Sequence, residues 1–101
     1  MGRFEYIKCF WKHIDDETPV LLFYEVDLEN GRYATRATEI FSDKSAHSII
    51  VEGFDFVTEA PIPTVEEINQ VHEFYAMTIS SDEFESVYQT KNFSGSITFP
   101  K

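Results

Sequence analysis

The first thing the chain shows is an alternation. Over residues 3–13, Ile7, Cys9 and Trp11 fall on one side, and Phe4, Tyr6, Lys8, Phe10 and Lys12 on the other. A period of two marks a strand. The polar run "HIDDETP" then reads as a loop, with Pro19 opening a second strand where a missing N–H costs least. That strand, Val20–Leu28, is rich in β-branched and aromatic residues and leads into Asn30-Gly31, a dipeptide suited to the positive φ of a two-residue hairpin turn. A third strand covers Arg32–Phe41. With Asn30-Gly31 as the whole loop, Glu29 faces Arg32 and Glu25 faces Arg36, two opposite-charge pairs. Leu28 then faces Tyr33, Val26 faces Thr35 and Tyr24 faces Ala37. "SDKS" marks another turn, His47–Val51 a fourth strand, and "GFDFVTEA" a short fifth.

Beyond residue 60 the spacing changes. In "PIPTVEEI", Thr64 and Glu67 have the spacing of a capping box, ahead of apolar positions at Val65, Ile68 and Val71. "ISSDEFESVYQ" repeats the device, with Ser80 as cap, Glu83 three residues on, and Phe84, Val87 and Tyr88 along one side. Two short helices are expected, each with an acidic first turn that suits the helix dipole. Residues 92–101 read either as disordered or as an edge strand through Ile97–Phe99. Strands first and helices last indicate an α+β fold: an antiparallel sheet of four to five strands with two short C-terminal helices packed on one face. The 101 residues fit a single domain, with the sheet over about 3–58 and the helices over about 64–90.

Composition narrows the function classes. Hydrophobic residues make up 43% of the chain and aromatic residues 16%, enough for one core. No apolar run reaches the ~20 residues of a membrane helix. The N-terminal "MGRFEYIK" lacks the apolar stretch of a signal peptide, so a cytoplasmic protein is expected. Cys9 is the single cysteine. That excludes an internal disulfide or a cysteine-based zinc site, and its alternation with Ile7 and Trp11 reads as a buried thiol. The net charge is −10, which opposes binding to a phosphate backbone. Its distribution is uneven. Residues 45–90 hold nine acids and no Lys or Arg, whereas the nine acids of the first 44 residues are offset by six bases.

Candidate chemistry is sparse. Trp11, Lys12 and His13 run into Asp15, Asp16 and Glu17, but nothing in the spacing brings His47 or His72 to His13, so His13 reads as a solvated imidazole. His72-Glu73 with Glu66 and Glu67 does not match the metal-binding H-E-x-x-H spacing. The four glycines are scattered, none opening a helix after a strand, and no serine sits in G-x-S-x-G. No catalytic residue, cofactor or metal is therefore assigned. Two surfaces remain. A mixed sheet face carrying Lys8, Lys12, Glu25 and Arg36 among aromatic rings is either half-covered by its own Lys and Arg stems or a ligand groove. The acidic half interleaves carboxylates with Phe54, Phe56, Phe74, Tyr75 and Phe84, a makeup suited to a basic protein partner: rings anchor, carboxylates steer.

The motifs "YIKCFWKH", "PVLLFYEVD", "RYATRATEIF", "EAPIPTVEEI" and "ISSDEFESVY", in this order over Tyr6–Tyr88, resemble a family of small uncharacterised bacterial domains. This chain departs from the pattern with Tyr88 in place of a Trp, a diverged "SAHSIIVEGFDF" and added residues from Lys91. The resemblance carries no catalytic residues. It implies a bacterial cytosolic protein similar to the immunity proteins of contact-dependent or polymorphic toxin systems. The expected function is non-enzymatic: binding a basic toxin domain, a nuclease by the charge argument, and occluding its active site without touching nucleic acid or membrane. Asp55, Glu59, Glu66, Glu73, Asp82 and Glu85 are the expected contacts. The alternative is a small-ligand-binding or enzymatic domain on the mixed face.

Overall fold

In the computed structural model, which describes residues 3–12, 17–49, 57–58 and 60–100, the N-terminal alternation forms strand β1 (Phe4–Trp11). After it come β2 (Leu21–Asp27), β3 (Tyr33–Ile40), β4 (Ala46–Ile49), α1 (Val65–Ile68), β5 (Phe74–Ile79) and α2 (Ser81–Tyr88). Among the described residues these strands form one antiparallel sheet in the order β4-β3-β2-β1-β5. The α+β expectation holds. Most of "GFDFVTEA" lies outside the described residues; the fifth strand observed is β5.

The sheet is covered on both sides. Ile7 and Cys9 of β1 meet Val26, Ala34, Ala76 and Ile62, with Val65 and Ile68 of α1 packed over them. On the other face Phe10 meets Leu21, Phe23 and Ile40 under Phe84 and Val87 of α2. The helices thus cover opposite faces, not one as the order of elements suggested. The reason is β5. It lies between the helices in sequence, so the chain enters the sheet from the α1 side and leaves it on the α2 side. Phe23 and Phe84 are fully buried, each worth about 1.5–3 kcal/mol over exposure.

The β2–β3 turn differs from the expected two-residue loop. Asp27 pairs with Tyr33 and Val26 with Ala34, leaving 28–32 as a five-residue turn in which Gly31 (φ 70°) and Arg32 (φ 65°) take the left-handed conformation. Asp27 organises it. Its carbonyl accepts the Arg32 N–H (3.0 Å), and its carboxylate accepts the Glu29 N–H (3.0 Å) and the Asn30 side-chain amide (2.7 Å). A shift between Glu25 and Val26 leaves Thr35 as an extra residue and restores the expected pairs Glu25–Arg36 and Tyr24–Ala37. The pair Glu29–Arg32 does not form. Arg32 instead bonds Glu5 (2.9 Å) and the carbonyl of Ile62 (2.8 Å).

Both helix starts read from the sequence are present. At Thr64 the hydroxyl accepts the Glu67 N–H (3.2 Å), and the Glu67 carboxylate in turn accepts the Thr64 N–H (3.1 Å). At Ser80 the hydroxyl accepts the Glu83 N–H (3.1 Å). α1 is a single turn and stops before Val71. Asn69, just after it, bonds β5 with both ends of its amide: Oδ1 accepts the Ala76 N–H (2.6 Å) and Nδ2 donates to the Ala76 carbonyl (3.0 Å). The C-terminal segment forms no strand through Ile97–Phe99. Asn92 makes an isolated bridge to Ser45, and Phe93, Ile97 and Phe99 lie against the α2-side cluster.

Candidate functional site

The mixed face is occupied. Tyr6 (2.9 Å), Thr35 (2.7 Å) and the Nε of Arg36 (2.9 Å) all donate to the Glu25 carboxylate, which is only 7% exposed. Thr35 reaches it because it is the extra residue of β3, so its hydroxyl arrives on the same side as Arg36. The Arg36 guanidinium also bonds Glu85 of α2 and lies over the rings of Phe84 (5.1 Å) and Tyr88 (4.9 Å). Burial opposes ionisation of Glu25, but the bonds from Arg36, Thr35 and Tyr6 together with the Arg36 charge outweigh it and hold the carboxyl below its usual range. Bonds to Glu25 and Glu85 push Arg36 well above its ordinary value. The donors here are spent on Glu25, and Arg36 alone carries the group across to α2 through Glu85.

The lysines of that face are also engaged. Lys8 Nζ lies 5.1 Å from the Phe10 ring centre and 5.9 Å from that of Phe93, and Lys12 Nζ lies 6.0 Å from that of Phe99. The half-covered groove of the alternative reading is therefore filled by α2 and residues 91–100, because their aromatic side chains match the apolar half of β1 and β2.

The opposite face offers an opening. A cleft of about 350 Å³ lies between α1 and the sheet. Cys9, Leu22 and Tyr24 form its floor, Ile68 and Val71 one wall, and Phe74 closes one end. Val71 is 45% exposed, one of the few large apolar side chains on the described surface. Burial pushes the Cys9 thiol up to about 11 and the Tyr24 hydroxyl up to about 12, so both are neutral at physiological pH. Glu67 lines the cleft, and the exposed Glu66 and Glu73 adjoin its lining residues Glu67 and Phe74 in sequence. The bonds from the Thr64 N–H and hydroxyl hold Glu67 below the usual carboxylate range. Chemically this is a place for an apolar group beside a positive charge. Its thiol, that of Cys9, stays protonated there at physiological pH.

The four expected contacts among the described residues are not gathered on one surface. Asp55 and Glu59 lie outside the described residues, as does His13. Glu66 stands on α1, Asp82 and Glu85 on α2 over the other face, and Glu73 in the turn just before β5. Glu85 is tied to Arg36. Among the described residues Glu66, Glu73 and Asp82 enter no ion pair. The cleft itself was not anticipated, and its only sequence signal is Val71, read as part of a longer helix. Trp11 has the expected parity and stacks on Phe74 (5.6 Å), but it is half-buried rather than enclosed. Among the described residues no group of three His, Cys, Asp or Glu side chains could hold a metal ion, and no helix is long and apolar enough to cross a membrane.

No curated protein and no solved structure matches the chain. A family model does match, over residues 5–93. Spanning nearly all of the sheet and both helices, it shows that the chain belongs to the family described as a domain of unknown function, DUF6881.

Proposed function

We propose that this domain is a non-catalytic binding module for a basic protein, in its most specific form a cytoplasmic immunity protein that covers the active site of a basic toxin nuclease. One observation carries the reading: four of the described cations are used internally, while a set of exposed acids is not. Arg32 and Arg36 are paired, and Lys8 and Lys12 lie over aromatic rings. Glu66, Glu73, Asp82 and Glu83 are exposed and enter no ion pair among the described residues. The field of a −10 chain is therefore projected outward. A nuclease needs a basic surface to hold phosphates, so such a field competes for the same groups.

The test is binding to, and protection against, a basic nuclease domain encoded in the neighbouring reading frame. Reversing Glu66, Glu73 and Asp82 together to Lys should slow association at low salt. The deficit should shrink near 0.5 M salt, where the Debye length falls to ~4 Å. A neighbouring frame that encodes no such domain, or an association rate indifferent to the reversal, overturns the reading.

A further inference from the structure

We infer that the cleft between α1 and the sheet is the anchor site for the basic partner and receives one large aliphatic side chain flanked by Lys or Arg. The inference rests on the reading of a basic partner and adds where and how that partner is held. Two independent features meet at this place. The first is apolar: Leu22, Tyr24, Ile68 and Phe74 are only half-buried around the opening, and Val71 beside it is 45% exposed. Such a surface gains by covering, and its volume of about 350 Å³ suits a side chain rather than a large cofactor. The second is charge. Glu67 lines the opening, the exposed Glu66 and Glu73 are the chain neighbours of its lining residues Glu67 and Phe74, and none of the three is paired with a cation among the described residues. Arg32, which comes near, is committed to Glu5 and to the carbonyls of Ile62 and Pro63. Both bonds from Thr64 use Oε1 of Glu67.

An apolar centre with an acidic rim selects a complementary occupant: an aliphatic side chain to fill the centre, and cations on either side to meet the carboxylates. A neutral apolar ligand would leave the rim unused. A second copy of this chain would bring like charge to like.

The experiment titrates the isotope-labelled full chain with three synthetic peptides, followed by amide chemical shifts: Lys-Arg-Leu-Arg-Lys, Lys-Arg-Ser-Arg-Lys and Glu-Asp-Leu-Asp-Glu. The first should move the amides of Leu22, Val71 and Phe74 and bind about tenfold more tightly than the second, the difference a partly buried leucine makes. The acidic peptide should not bind. In Val71→Lys, an exposed position whose change spares the core, the preference for leucine should vanish. Equal binding of both basic peptides, with shifts away from the cleft, overturns the anchor site and leaves the basic-partner reading standing. Binding of the acidic peptide at the cleft, or of neither basic peptide, overturns both. Concentration-dependent shifts of the same amides without peptide would assign the cleft to a second copy and also overturn the inference.

Discussion

Arg36→Met is the sharpest probe of how α2 is held. Methionine keeps most of the apolar stem but removes the guanidinium, which lies over Phe84 and Tyr88 and compensates Glu25. Glu25 would keep its bonds from Tyr6 and Thr35 while losing both from Arg36, in a site only 7% exposed. Breaking a buried pair from one side costs about 3–5 kcal/mol. In a small domain that lowers the urea midpoint by about 2 M. The pH dependence fixes the cause. In the native protein Glu25 is held below its ordinary 4.5, so its contribution is complete above that value and is lost as pH falls through the lower, folded one. In the variant, burial acts without the counter-charge and the folded value moves above 4.5. Its deficit should therefore be largest near neutral pH and shrink as pH falls towards about 4, where the stranded carboxylate takes up a proton. Adding Glu25→Gln to the variant should recover part of the loss near neutral pH, and Glu85→Ala alone, at a 41% exposed partner, should cost far less. A deficit under about 1 kcal/mol that does not change with pH would show that Glu25 is solvated and that α2 is held by its rings alone.

Thr64→Ala and Ser80→Ala should each cost about 1 kcal/mol in urea unfolding. Since the two caps serve opposite faces, the double variant should equal their sum within about 0.5 kcal/mol. Trp11→Ala should cost roughly 2 kcal/mol, below the 3–5 of a fully enclosed ring; an unchanged midpoint would remove the stack on Phe74. Cys9, with its thiol pushed up to about 11, should resist an aromatic disulfide reagent near pH 8 and react once denatured. Rapid reaction of the native protein would show that the cleft admits reagent to its floor.

How legible each element is in the chain depends on how it is buried. β1 announces itself because its period of two separates unlike side chains, Ile7 and Cys9 against Lys8 and Lys12. The pair Glu25–Arg36 was legible from charge. The turn beside it was not, since Asn30-Gly31 favours a two-residue loop until the Asp27 carboxylate enters the turn and binds the Glu29 N–H and the Asn30 amide. The right pairing survived because the extra residue at Thr35 absorbs the shift. β5 was invisible for another reason. Phe74 and Ala76 face one cluster while Tyr75, Met77 and Ile79 face the other, so "FYAMTI" shows no alternation. Missing that strand put both helices on one face and ran α1 on to Val71. The cleft vanished with it, because it exists only where α1 stops and the chain turns into β5.

The two-handed amide of Asn69 bears on how this protein behaves in a crowd. A carboxamide repeats the donor and acceptor of a peptide group, so at Ala76 it stands in for one residue of a neighbouring strand. Among the described residues β5 ends the sheet, and an outward strand backbone is a template for another molecule's strand, the route by which β proteins polymerise. An incoming strand would have to expel both bonds in the middle of its ladder before gaining any of its own. The obstacle comes from an uncharged side chain of the same molecule, so unlike repulsion between −10 chains it is not screened away by salt.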